Sequence, residues 1–268
     1  MNSYSFTSSS AGPEDRFAKG TMMTNPAYER APATAPMHSE QRTTPIPAWG
    51  EILLVIATFC LAREIPGIEY TGPVALIAST IAITILLRLR GQSWATLGLR
   101  GPRTALDVLK GAGMVALVFI GAAVTNAIAM TVLPPLLGSA AEREFMDVST
   151  FPKYLVMMAI VWTTASFCEE MVFRGFLMSR TVEMLGARRF AWLFAALFQA
   201  VLFGLVHAYQ GIGGIVTTGM VGLTFGLMYL IAKRNLWPTI IGHGLVNSFG
   251  ITVLHLQATG AINTSGLG

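Results

Sequence analysis

Apolar residues gather in this chain into runs of about twenty, the length a helix needs to cross roughly 30 Å of hydrocarbon. Polar residues, Gly and Pro break the runs apart. The pattern predicts helices over about 48–65, 73–90, 106–133, 153–179, 189–208, 212–232 and 236–257. The expected fold is all-α, a polytopic transmembrane helical bundle of about seven helices, with six to eight compatible with the pattern. The first segment is the weakest, because Arg63 and Glu64 cut its apolar core to about a dozen residues; an interfacial or re-entrant segment is the alternative there. In the sixth, Gly214, Gly219, Gly222 and Gly226 predict close approach of a neighbouring helix.

Residues 1–47 are rich in Ser, Thr, Pro, Ala and Gly and poor in large apolar side chains, so they are expected to form a disordered polar tail. No apolar run follows the start closely enough for a secretory signal, and the tail is expected to be retained. The transmembrane domain spans 48–258 and a C-terminal tail 259–268. No internal repeat is visible, which disfavours a transporter built from inverted halves.

Composition supports the membrane reading: of 268 residues 53% are hydrophobic and only 12% charged, a balance foreign to soluble domains. Cys60 and Cys168 fall inside apolar runs and imply neither a disulfide framework nor a thiolate metal site. The formal charge of +4 does not point to nucleic acid, because its distribution follows membrane topology. Arg88, Arg90, Arg100, Arg103 and Lys110 lie between helices two and three, Arg180, Arg188 and Arg189 between four and five, and Lys233 and Arg234 between six and seven. The alternate loops carry only Arg63, Arg143 and Lys153. An odd number of spans, with a cytoplasmic N-terminus and the C-terminus on the opposite side, satisfies every loop.

Ionisable residues inside the membrane are costly and therefore suggest function. The fourth helix holds Glu169, Glu170 and Arg174 within two turns. Glu170 and Arg174 are four apart and suit an ion pair, whereas Glu169 lies about 100° round an α-helix and points elsewhere. Burial raises the proton affinity of a carboxylate, the condition for a base near neutral pH. The fifth helix ends at Phe203-Gly204-Leu205-Val206-His207, and the seventh carries His243 and Asn247 four apart on one face. Two donors pointing the same way suit a developing oxyanion, or else interhelical hydrogen bonds that fasten the bundle.

Glu169-Glu170 with Arg174, Phe203 with His207, and His243 with Asn247 resemble, in order and spacing, the motifs of the CAAX protease and bacteriocin-processing family, which includes the type II CAAX prenyl endopeptidases. The resemblance covers about 153–250, the expected catalytic core. It implies a membrane-embedded endopeptidase in which Glu169 and His207 hold and activate a water, His243 and Asn247 stabilise the oxyanion, and Glu170 and Arg174 support them. The implied partners are the lipid bilayer and a peptide or protein substrate, lipidated or membrane-associated. No metal is needed for these roles and no H-E-x-x-H pair is present; zinc held by Glu169, His207 and His243 is the alternative. A non-catalytic immunity factor or scaffold, in which the same cluster only fastens helices, is the competing class, and a proton or ion relay a weaker one.

Overall fold

The computed structural model describes residues 46–68, 70–137, 147–186 and 188–262. The tail expected over 1–47, apart from its last two residues, lies outside the described residues, as does the stretch from 263 onward. Among the described residues seven long helices form: α1 (Ala48–Arg63), α2 (Thr71–Leu89), α3 (Ala105–Val132), α4 (Phe151–Leu185), α5 (Ala191–Leu205), α6 (Gly211–Ile231) and α7 (Leu236–Ala258). Most expected boundaries fall within a few residues of these. The exception is α4, which runs on to Leu185 because its last turns are fixed by Arg180 and Glu183 rather than by apolarity. Among the described residues no strand forms.

Five of the seven, α2, α3, α4, α6 and α7, are long and apolar enough to span a bilayer. At 16 and 15 residues, α1 and α5 reach only about 24 Å and 22 Å. The outward faces are greasy: Ile77, Ile81, Ile85 and Leu89, four residues apart on α2, are 46–56% exposed, as suits a stripe against lipid tails. This is an integral membrane protein.

The architecture has a centre. α2, α5, α6 and α7 all pack on α4, and half of the apolar window of α4 is buried within the protein, against 17–33% for the other candidate spans. The glycines of α6 do what their spacing predicts. A Cβ at Gly222 would come within 2.8 Å of Phe203 Cδ1, and one at Gly226 within 2.7 Å of Gln199 Nε2, so α5 and α6 touch closely only because these side chains are absent. On α7, Gly242 and Gly244 admit Val118 of α3 and the Trp162 ring of α4 in the same way, each with a contact of 2.5 Å.

Local signals at the helix starts agree. Thr104 and Asp107 form a reciprocal capping box on α3, and Asn235 caps α7 by accepting from the Trp237 amide. The three basic loops meet at one end of the bundle. Arg100 donates to the carbonyls of Lys233 and Arg234, Arg180 donates to Gln92, and Arg234 lies over the Trp192 ring.

Candidate active site

The centre of α4 is not a regular α-helix. Wide turns occupy Val161–Cys168 and Glu170–Leu177, with the Glu169 amide bonded to the Thr164 carbonyl and the Met178 amide to the Phe173 carbonyl, five residues back. Such turns re-aim side chains and are frequent at functional sites. The expectation of 100° per residue therefore does not hold here, although the conclusion drawn from it about the ion pair survives.

Glu170 and Arg174 are both fully buried, with Arg174 Nη1 2.8 Å from Glu170 Oε1. The pair is held by charge rather than by an aligned hydrogen bond: Arg174 Nε and Nη1 and Glu170 Oε2 lack an aligned partner among the described residues. What the guanidinium has instead is two aromatic faces, Phe203 of α5 at 4.5 Å and Phe225 of α6 at 5.1 Å from its central carbon. Its Nη2 donates to the Gly222 carbonyl at 3.3 Å, which also accepts from the buried Gln199 at 2.8 Å. One buried arginine thus locks α4, α5 and α6 together.

The two histidines flank this sandwich. His243 of α7 stacks on Phe225 at 4.6 Å, and His207 lies 4.9 Å from the Phe203 ring. His243 faces both glutamates: its Nδ1 is 3.0 Å from Glu170 Oε1, and its Nε2 is 3.9 Å from Glu169 Oε2. The carboxylate of Glu170, beside Arg174, accepts, so Nδ1 donates and the ring is fixed with Nε2 turned toward Glu169. A separation of 3.9 Å is longer than a direct hydrogen bond.

His207 stands just past the end of α5, in the turn leading to α6, and is half-buried. Its Nδ1 lies 2.7 Å from the Phe203 carbonyl. A carbonyl can only accept, so Nδ1 carries the hydrogen and Nε2 is left as an acceptor. Asn247, one turn beyond His243, is half-buried, and its carboxamide makes no hydrogen bond among the described residues. The structure therefore brings Glu169, Glu170, Arg174 and His243 into one buried group and ties His207 to it through Phe203, whereas Asn247 is placed only by its position one turn from His243 on α7. Among the described residues no group of three or more His, Cys, Asp or Glu side chains converges as a metal-ligand set.

Sequence reading missed Phe225, the second plate on Arg174, because an aromatic residue in an apolar helix carries no signal of its own. It also missed a ring of charge at the basic end. Glu51 of α1 bonds Arg90 Nε and Arg180 Nε, both at 2.6 Å, and Glu183 bonds the same two arginines at 2.7 and 3.1 Å. Burial disfavours the Arg90 charge, but the hydrogen bonds and charges of Glu183 and Glu51 outweigh it and hold the group above its ordinary value. An acidic residue at 51 inside an apolar run was the available clue.

Residues 151–249 match the family model described as Type II CAAX prenyl endopeptidase Rce1-like. The match begins at the first residue of α4 and takes in all six motif residues, so the resemblance read from Glu169, Glu170, Arg174, His207, His243 and Asn247 is borne out over this segment. The chain is also similar to YdiL of Bacillus subtilis (strain 168), a candidate membrane peptidase by its description, at 27% identity over 120 residues. That alignment covers 44% of this chain and 44% of YdiL, so the chain spans less than half the length of the curated relative it matches. No solved structure matches the chain.

Proposed function

We propose that this protein is an intramembrane endopeptidase that cuts a peptide bond with a water activated by Glu169. The observation that carries the reading is the placement of His243 between two buried carboxylates, bonded to Glu170 at 3.0 Å and standing 3.9 Å from Glu169. In a purely structural cluster both contacts would be expected to close. The family matched by residues 151–249 and the description of YdiL support peptide hydrolysis as the chemistry.

In the proposed reaction Glu169 takes a proton from the water as its oxygen attacks the scissile carbonyl carbon, and His207 Nε2 accepts the water's other hydrogen. The carbonyl oxygen becomes an oxyanion. The Asn247 amide and the His243 ring stabilise it where charge develops. Collapse of the intermediate breaks the C–N bond, and the proton held by Glu169 passes to the leaving nitrogen. Glu170 and Arg174 hold His243 in place without touching substrate. The chemistry is derived from these side chains alone, with no step through a metal.

The substrate is a peptide or protein presented from the bilayer, lipidated or membrane-associated, and the basic end of the bundle faces the cytoplasm. To test the reaction, the purified protein in liposomes is incubated in ¹⁸O-water, with a strong chelator present, against prenylated C-terminal peptides, leader peptides and single-span membrane segments. The proposal expects cleavage of at least one class, with one ¹⁸O in the new carboxyl, and none by Glu169→Gln. Equal cleavage by Glu169→Gln would remove the assigned base, and loss of wild-type cleavage in chelator would restore the metal alternative.

A further inference from the structure

A polar cavity of about 240 Å³ lies at the basic end of the bundle, lined among others by Gln92, Thr96, Arg100, Arg180, Tyr229 and Arg234. Pockets for drug-sized ligands run to about 300–1,000 Å³, so this one suits a small charged group. Its charge is one-sided. Glu51 and Glu183 are matched by Arg90 and Arg180 in the closed ring described above. Arg100 is bonded to main-chain carbonyls and Arg234 lies 4.7 Å over the Trp192 ring; among the described residues neither faces a carboxylate within ion-pair distance. Two positive charges at the cavity are left without a counter-charge.

The walls are fixed in advance. Lys233 and Arg234 both adopt left-handed backbone, at φ 53° and 59°, which is uncommon outside glycine and needs support from its surroundings. Arg100 supplies it through both carbonyls. Gly98, at φ +107°, lies so close to the Arg234 carbonyl that a Cβ there would meet its oxygen at 2.2 Å. The Leu236 amide bonds Gly98, and the Tyr229 hydroxyl donates to Leu97, both at 2.9 Å.

Position in the bilayer completes the argument. Of the five Trp in the chain, four are at this end: Trp49 beside Glu51, Trp94 in the short helix Trp94–Leu97, Trp192 beneath Arg234, and Trp237 at the start of α7. Tryptophan collects at the headgroup level. A preformed cavity with two uncompensated guanidiniums at that depth meets lipid phosphates, and basic pockets between membrane helices on the cytoplasmic side recognise them.

We propose that this cavity binds a phosphate group, presented by the headgroup of an anionic membrane lipid. The site is separate from the proposed catalytic centre, and its test does not depend on cleavage. The full-length protein is reconstituted in nanodiscs of phosphatidylcholine or of phosphatidylcholine with phosphatidylglycerol. Lipid retained after extraction is then counted by native mass spectrometry, and melting in detergent is followed against short-chain phosphatidylglycerol, short-chain phosphatidylcholine and sodium phosphate. Wild type and Arg103→Gln, a control at an exposed arginine outside the cavity, retain phosphatidylglycerol with about tenfold preference, and Arg234→Gln and Arg234→Glu lose it. If sodium phosphate stabilises wild type but not the Arg234 variants, and no lipid preference appears, the phosphate chemistry stands and its source is soluble. Equal retention of both lipids with no response to phosphate, or binding unchanged in both Arg234 variants, overturns the proposal.

Discussion

The charge ring at the basic end and the charged cluster inside α4 are built from the same kinds of side chain. In the ring, two carboxylates and two guanidiniums close on one another through four contacts of 2.6–3.1 Å, joining α1, the end of α2 and the last turns of α4. In the cluster, Glu170 and Arg174 are paired at 2.8 Å, but His243 stands 3.9 Å from Glu169. A closed ring has no place for another molecule and acts as a clasp. In the second cluster the wider His243–Glu169 contact, beside the fixed Glu170–Arg174 pair, is the feature on which the proposed chemistry rests.

Substitutions that exchange the properties of the two clusters test this contrast. Glu51→Ala takes away the buried one of the two carboxylates that Arg90 and Arg180 share, leaving half-exposed Glu183 to match both, and is expected to cost about 3 kcal/mol of stability, read as a large fall in detergent melting temperature. Its residual folded fraction should cleave at the wild-type rate per molecule. Asn247→Ala, in the open cluster, should behave oppositely, with kcat down about 10²–10³-fold, KM little changed and melting unaltered, as expected of an oxyanion donor. Gly222→Ala presses a methyl group against Phe203 and so disturbs one plate of Arg174. A loss of about 1–3 kcal/mol in stability is expected, with a secondary loss of activity.

The smallest effect should come from Asp147, an exposed carboxylate paired with Lys153 beyond the start of α4. Lys153 and the Ser149 amide and hydroxyl hold its carboxyl below the usual carboxylate range. Its folded-state affinity for protons is depressed, so its contribution is present above the ordinary carboxylate range and lost only as pH falls through the depressed value. Lys153→Ala should therefore leave melting unchanged between neutral pH and mildly acidic conditions, since exposed pairs contribute little.

Much of this was legible in the linear sequence, for identifiable reasons. Span positions follow from uninterrupted apolarity, and the α6 glycines from small-residue spacing. The six motif residues stand out because charge inside an apolar run is rare. The closing of Glu51 onto Arg180, across 129 positions, was not legible; nor was Phe225 over Arg174. Both depend on which helices become neighbours, and sequence period carries no such information. The wide turns of α4 also escaped, since nothing in Val161–Leu177 marks a shift from four-residue to five-residue hydrogen bonding. The shortness of α1 was foreshadowed by Arg63 and Glu64, whereas α5 looked longer because its apolar run continues through Val206, beyond the point where the helix ends.

The central claim is that Glu169 does chemistry and the charge ring does not. Its most direct test is the rate of peptide cleavage per folded molecule by Glu169→Gln, measured beside its melting temperature in the same bilayers. The account predicts a fall of about 10²–10⁴-fold or more with melting unchanged. Cleavage near the wild-type rate, or a loss that merely follows unfolding, would contradict it.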